Sequence, residues 1–288
     1  MMKRMIGGLR GGRAVLQALL ATALLAGGAS AQTWRRVDIS RQIAGEEKLD
    51  VEVKYGAGEF TLAPADDGIL YAVKLRYDED RFEPVVEYRR GRLDVGVETV
   101  RGSIGLGKKF KGGNMDLRLS PDVPTDLVLQ LGAVKADVEL GGLSLTDLEL
   151  HTGASETVVG VSQPNPERIR RAELQVGAAD FTAKELGNLR ARRIDVDAGV
   201  GSVTLDFTGA WAEDARVSIN MGLGSLVLIF PEGLGVRLQK DSFLTSLDSE
   251  GLIKRGEAYY SLEWDEAEHK VNVDLDAAFG SVEVRWVN

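Results

Sequence analysis

The chain has 288 residues, with 35 lysine or arginine residues against 44 aspartate or glutamate residues, a formal net charge of −9 and no cysteine. Without cysteine it can form no disulfide, no thiol nucleophile and no thiolate metal site. Its negative field opposes nucleic acid, and no basic stripe with stacking aromatic residues offsets that field. Thiol chemistry and nucleic-acid binding are therefore excluded as functions.

The first 31 residues have the pattern of a secretory signal peptide. Basic residues without any acid are followed by an apolar run over 14–26 and by the small residues Ala29-Ser30-Ala31. The run is shorter than the ~20 apolar residues that span a bilayer, and an uncleaved anchor helix is the alternative. The sequence predicts a signal peptide over 1–31, a mature chain that begins at Gln32, and export to the periplasm or the extracellular space. No later segment is as apolar, so we expect no transmembrane segment after cleavage.

Residues 32–120 are predicted to form an N-terminal β region. Leu49–Leu62 alternates apolar and polar residues on both sides of a glycine corner, as two half-buried strand segments would. Further strands are predicted to form a β-meander over Ile69–Tyr77, Glu83–Tyr88 and Arg92–Val97. Residues 98–114, rich in glycine and lysine and poor in apolar side chains, are predicted to be a mobile loop.

The region 121–288 repeats one phrase, in which a short alternating strand, a glycine corner and a second alternating strand follow each other. The clearest copies are Leu127–Leu140, Leu148–Val159, Ala172–Ala183, Ile194–Phe207 and Val217–Phe230, and Val271–Trp286 is related to them. Successive corners are 21, 24, 22 and 23 residues apart, at Gly132, Gly153, Gly177, Gly199 and Gly222. Such a spacing is typical of a solenoid, in which neighbouring units complete each other's core.

We therefore predict an all-β fold, a single-chain β-solenoid-like stack of ~22-residue strand–glycine–strand repeats that continues directly from the N-terminal region. A β-sandwich or roll of antiparallel hairpins is the competing fold. Glycine suits the corners because it admits positive φ and lets adjacent backbones approach. Helix is expected only in the signal peptide and in one turn near Pro166–Arg171.

Several phrases of the sequence resemble the toast-rack family of bacterial cell-envelope β domains. They are Gly56–Leu62, Leu70–Asp78, Gly187–Leu189, Asp206–Trp211 and Gly222–Leu226. The family is similar to the C-terminal domain of LiaF-type cell-wall stress regulators and to proposed adhesin domains. The resemblance runs from about Val37 to the C-terminus and implies a stacked β architecture in the envelope, with no catalytic residues to carry over. LiaF-like regulators have several membrane helices before this domain, whereas this chain has only a signal peptide.

Motifs for catalysis are weak. Gly102–Lys109 has the spacing of a phosphate-binding loop, but Lys109 replaces the required Ser or Thr and no helix follows, so we interpret it as a loop. The two histidines, His151 and His269, are interpreted as surface residues.

Carboxylates are the one abundant reactive group. Glu149, Glu173, Asp195 and Asp197 are predicted to point outward from successive repeats, about 4.8 Å apart from strand to strand. Such a ladder has three interpretations: a charged surface that keeps the sheet soluble, a divalent-cation site such as one for calcium, or the acid and base of a glycan-cleaving enzyme. Trp211 and Trp264 could stack on sugars, although capping the core is commoner for tryptophan.

The sequence favours a non-catalytic exported protein without a cofactor, which presents an acidic face to an envelope protein or polysaccharide, in an adhesin-like or envelope-stress role. The speculative interaction face consists of Glu149, Glu173, Asp195 and Asp197. A carbohydrate-active enzyme that uses these carboxylates is the alternative function, and a divalent-cation binder is the third.

Overall fold

The structure is a computed structural model that describes residues 33–100, 112–242 and 245–288. The predicted signal peptide, the Gly102–Lys109 motif and most of the predicted loop 98–114 lie outside these residues. The described strands in chain order are β1 (Trp34–Gln42), β2 (Leu49–Pro64), β3 (Ile69–Asp78), β4 (Phe82–Arg89), β5 (Arg92–Thr99), β6 (Gly113–Leu119), β7 (Thr125–Glu139), β8 (Leu145–Thr152), β9 (Glu156–Gly160), β10 (Ala172–Lys184), β11 (Arg193–Asp206), β12 (Ala215–Pro231), β13 (Gly235–Ser242), β14 (Thr245–Asp248), β15 (Leu252–Arg255), β16 (Ala258–Ser261) and β17 (Lys270–Val287).

The long strands stack in parallel, each bent once at its middle. β2 pairs with β7, β7 pairs with β8 and β9, and these two pair with β10; the stack continues through β11, β12 and β17. β8 and β9 are the two halves of one coil, since β8 faces the first half of β10 and β9 faces its second half. The fold is therefore the predicted all-β, solenoid-like stack.

Both ends of the stack carry antiparallel pairs. At the N-terminal end, β5 and β6 pair with the two halves of β2, and β4 forms a hairpin with β5. The three strands expected between 69 and 97 are present, but β3 pairs with β1 and β6 rather than with β4. At the C-terminal end, β13 and β14 pair with β17, and β16 joins β13 to β15.

The core lies between the two halves of the coils. Along one row, Val203, Leu226 and Val282 occupy equivalent positions of β11, β12 and β17 and are all buried. The rings of Phe207 and Phe230 stack with centroids 5.1 Å apart. Each of the long parallel strands thus contributes the same side-chain position to the same layer, which explains why the apolar alternation repeats from one coil to the next.

Glycine serves the corners in two different ways. At Gly199 and Gly222, a Cβ would lie 2.9 and 2.5 Å from the carbonyl oxygen of the preceding corner glycine, so these positions need glycine for close approach. Positive φ occurs two residues later, at Gly201 (141°) and Gly224 (145°), where a Cβ would lie 1.9 and 1.8 Å from a carbonyl oxygen. The expectation of positive φ therefore applies to the second glycine of the Gly-x-Gly corners.

Helix is nearly absent from the described chain. One 3-10 turn forms at Leu186–Leu189, so the turn expected near Pro166–Arg171 was wrong. Asn188 stabilises the 3-10 turn, because its side chain donates to the carbonyl of Val161 and accepts from the N–H of Ala210. Within the described ranges, no helix has the length and apolarity of a membrane span.

Candidate functional site

The outward residues of β8 and of the first halves of β2, β7, β10, β11, β12 and β17 form one surface, which we call the charged side face. Glu149, Glu173 and Asp195 are direct neighbours on β8, β10 and β11 of this face. Asp197 lies one outward row further along β11, beside Gln175 on β10 and Asn220 on β12. The parallel register thus brings three of the four predicted residues into one row and places the fourth in the next.

Two of these carboxylates, Glu173 and Asp195, are paired with arginines. Arg171 contacts Glu173 at 2.9 Å and donates to Asp195 at 2.6 Å, while Arg193 donates to both oxygens of Asp195 at 2.8 Å. The hydrogen bond to Asp195 raises the pKa of the Arg171 guanidinium. Asp195 is only 6% exposed, so the expectation of an outward carboxylate open to solvent was wrong for this residue.

The other two predicted residues remain accessible. Glu149 is partly exposed and lies 3.8 Å from Nε2 of His151. Asp197 is exposed and accepts a 2.7 Å hydrogen bond from the side chain of Asn220. A ligand that approaches this face therefore meets Glu149 and Asp197 directly, and meets Asp195 only through its arginines.

A further charged row was not identified from the sequence. The residue that immediately precedes the aligned core residues Val51, Leu127 and Leu148 is acidic in β2, β7 and β8, namely Asp50, Asp126 and Asp147. In the next coils the same position is basic, namely Arg171, Arg193 and Arg216. Burial and the neighbouring Asp126 raise the pKa of Asp147. Comparing this one position from repeat to repeat would have revealed the change of sign.

Four grooves on the described part of the chain have linings elsewhere. None of these four includes Glu149, Glu173, Asp195 or Asp197. The described chain also has no group of three or more acidic or histidine side chains placed to hold a metal ion. The arrangement is thus a rigid pattern of fixed charges on a sheet surface.

The tryptophans and the second histidine lie elsewhere. Trp211 is partly buried and donates from Nε1 to the carbonyl of Phe207 at 2.9 Å, as a residue that covers the core would. Trp264 packs edge-on against Tyr260 at the C-terminal end, where His269 is partly exposed. The sugar-stacking interpretation would require tryptophan beside the carboxylates, and neither Trp211 nor Trp264 is there.

Comparison with known families agrees with this architecture. The family model described as the N-terminal domain of toast_rack, DUF2154, matches residues 29–183 and 171–229, which together are more than half of the chain. The chain belongs to the toast-rack family. Among curated proteins, none matches it.

Solved structures similar to this toast-rack chain include a proposed cell adhesion protein from Clostridium sporogenes, which is 17% identical with a TM-score of 0.45; the match covers 88% of this chain and all of that one. A proposed adhesin from Bacteroides fragilis is 11% identical with a TM-score of 0.33 over 87% of this chain and 97% of its own. A proposed lipid-binding protein from Parabacteroides distasonis is 11% identical with a TM-score of 0.37, and the match covers 88% of this chain and 97% of that one.

The toast-rack corners carry an apolar row that sequence reasoning missed. Val200, Leu223 and Phe279 are the middle residues of three aligned corners and are 52%, 53% and 45% exposed. The sequence feature that could have revealed this row is the large apolar residue between Gly199 and Gly201, with its equivalents in the later repeats. This row is the edge where the charged side face meets the second halves of the coils.

Proposed function

We propose that this toast-rack protein is an exported, non-catalytic, adhesin-like protein of the cell envelope, whose charged side face binds a protein or polysaccharide. The observation that carries the proposal is the in-register row of Glu149, Glu173 and Asp195, in which Arg171 bridges Glu173 and Asp195. Such a row holds charges at a fixed spacing, about 4.8 Å per strand, without any conformational cost upon binding.

The hydrogen bonds of the row favour binding over catalysis. Both oxygens of Asp195 accept from arginine, and Glu173 shares Arg171 with it. A glycosidase needs two carboxyl groups that face the two sides of a bound glycosidic bond inside a cleft. A row in which Glu173 and Asp195 are already paired with arginines instead offers donors and acceptors side by side to a charged or hydroxyl-rich partner.

Export is tested on the full chain expressed in a bacterial host. The expected result is recovery from the periplasm or the medium, with a mass that begins at Gln32, because residues 1–31 have the signal-peptide pattern. Recovery from the cytoplasm, or from membranes with Met1–Ala31 still attached, would contradict export and cleavage respectively.

Binding is tested with peptidoglycan sacculi, exopolysaccharide and isolated envelopes as immobilised ligands. The double variant Glu149→Gln/Asp197→Asn is expected to weaken binding at low ionic strength and to match the native chain at high ionic strength, because exposed charges act through a screened field. Glu47→Gln/Asp67→Asn, which removes two exposed carboxylates outside the face, is the matched control. Equal binding by both variants would contradict the assignment of the face.

The same samples distinguish binding from turnover. Mass spectrometry of the incubated glycans is expected to show no cleavage by the native chain. Cleavage that is lost in Glu149→Gln/Asp197→Asn, whatever the ionic strength, would overturn the non-catalytic proposal, since loss of a catalytic acid or base typically costs a factor of about 10² or more.

A further inference from the structure

The last coil of the stack is incomplete. β17 pairs with β12 as far as Val287 on one side, whereas on the other side β14 ends at Asp248, opposite Glu283. Within the described residues, no strand pairs with Val284–Val287 on that second side. This leaves a slot along β17 whose open edge is about 13 Å long at ~3.3 Å per residue.

The floor of the slot is an open strand edge. On the β12 side, the carbonyl of Val287 accepts the N–H of Glu232 at 2.9 Å. Backbone groups alternate in direction along a strand, so the N–H and C=O of Trp286 face the slot. An unpaired edge of this kind is a template for another strand.

The walls of the slot are fixed and partly apolar. The slot contains a cavity of ≈ 630 Å³ between the turn after β14 and the segment Leu262–Glu263. The indole Nε1 of Trp286 donates to the carbonyl of Glu250 at 2.9 Å, which ties the first wall to the floor. Leu262, which also lines the cavity, is 62% exposed, so an apolar side chain in the slot would gain contacts.

Acidic residues surround the slot. The cavity is lined by one basic residue, Arg285, and by five acidic residues, namely Glu232, Asp248, Glu250, Glu263 and Glu283. Arg285 donates two hydrogen bonds to Glu283, at 2.6 and 2.9 Å, and these lower the pKa of Glu283. None of the other four carboxylates forms an ion pair with a described basic residue. The charge of the slot is therefore complementary to lysine or arginine.

We propose that this slot binds an extended segment of a partner polypeptide by strand addition, with basic side chains outward and apolar side chains inward in alternation. In β17 itself, Glu283 and Arg285 point outward while Val284 and Trp286 point toward the core, and an added strand would continue the same two faces. The slot is built from residues other than those of the charged side face. Its test is therefore independent of the proposed function.

The experiment uses the full chain and fluorescein-labelled hexapeptides, with binding followed by fluorescence anisotropy. A peptide that alternates Lys and Val is expected to bind, and one that alternates Glu and Val is not. Two further peptides carry N-methyl groups on every second residue, in the two possible registers. Because only one register removes the donors that face β17, one of them is expected to lose about tenfold or more in affinity and the other to bind like the parent.

Paired variants of the chain locate the binding. Glu250→Gln/Glu263→Gln is expected to weaken the Lys–Val peptide about fivefold at low ionic strength, since each exposed pair contributes up to ~1 kcal/mol. The control Glu257→Gln/Glu266→Gln removes two exposed carboxylates outside the slot. Leu262→Ser is expected to weaken binding, and Ile253→Ser, another exposed apolar residue, is its control.

Three results would overturn the proposal. The first is equal affinity for both N-methylated peptides, which would mean attraction by charge without strand pairing. The second is equal loss of affinity in the slot variants and their controls. The third is a dimer in sedimentation that Leu262→Ser dissociates while the Lys–Val peptide does not bind, because a second copy would then occupy the slot.

Discussion

The middle of the stack and its C-terminal end are built from the same repeat but are assembled differently. From β10 to β12, strand order follows chain order, so each coil packs on the coil made just before it. At the C-terminal end β17 inserts between β12 and β13, although β13 to β16 precede it in the chain. The final strand of the described chain therefore lies inside the stack, and β13 and β14 form its outermost coil.

The difference has an energetic consequence. A residue in the middle of a row has a neighbour above and below it, as Val203 has Phe181 and Leu226. The end of that row, Leu247 on β14, has Val282 on one side only and is partly exposed. In a one-dimensional stack stability is a sum over neighbouring coils, so the middle should be less tolerant of change than the end.

The largest effect is expected when an apolar residue of this row is replaced by aspartate, once in the middle of the stack and once at its end. Val203→Asp should cost about 3–5 kcal/mol of unfolding free energy, because it buries an unpaired carboxylate. Leu247→Asp should cost about 1–2 kcal/mol, because its carboxylate can reach water. Chemical denaturation of both variants measures the difference.

Thr204→Asp is the control for the register of β11. Thr204 follows Val203 and points to the opposite face, where it is partly exposed. Its replacement should change stability by no more than about 0.5 kcal/mol. A loss as large as that of Val203→Asp would contradict the inward and outward assignment, and equal losses at Val203 and Leu247 would show that the end of the stack is as constrained as its middle.

The second largest effect is expected at the corners. Gly224→Ala should cost about 2–4 kcal/mol, because the new Cβ would meet the carbonyl oxygen of Gly201 at 1.8 Å in a backbone with φ of 145°. Gly256→Ala has only the positive φ of 66° against it, with nothing within 4 Å, and should cost about 1 kcal/mol. Thermal and denaturant melts of the two variants separate conformational strain from backbone contact, and equal losses would show that contact between coils is unimportant.

Much of this architecture was readable from the sequence because its cause is local. The alternation in Ile194–Phe207 and the regular spacing of corner glycines follow from the two faces of a strand and from the contact between coils. Local patterns predicted the strands, the inward residues and the parallel stack. They also brought Glu149, Glu173 and Asp195 together in one row.

The remaining features depend on residues far apart in the chain. The burial of Asp195 requires Arg171, 24 positions earlier, to reach across from the neighbouring coil. The position of β17 between β12 and β13 could not be predicted, because its alternating pattern is suited to pairing with either strand. The contact of Arg171 with Asp195 and the position of β17 each depend on which of several similar partners is used. A single sequence does not show which partner that is.

The smallest effect is expected at Asp147, which lies in the row of the charged side face that is acidic in the first coils and basic in the later ones. Burial and Asp126 raise the pKa of Asp147, so the folded chain disfavours the charged form. The resulting destabilisation is full above the folded pKa and vanishes below the unfolded pKa, about 3.9. Asp147→Asn should therefore stabilise the chain at pH 7, within the ~0.5 kcal/mol scale of surface changes, and should give no gain near pH 3. Denaturant melts at both values test this, with the exposed Asp67→Asn as control. A gain of equal size at both pH values would assign the effect to packing, and a loss at pH 7 would mean that Arg170 and Arg171 outweigh burial at this position.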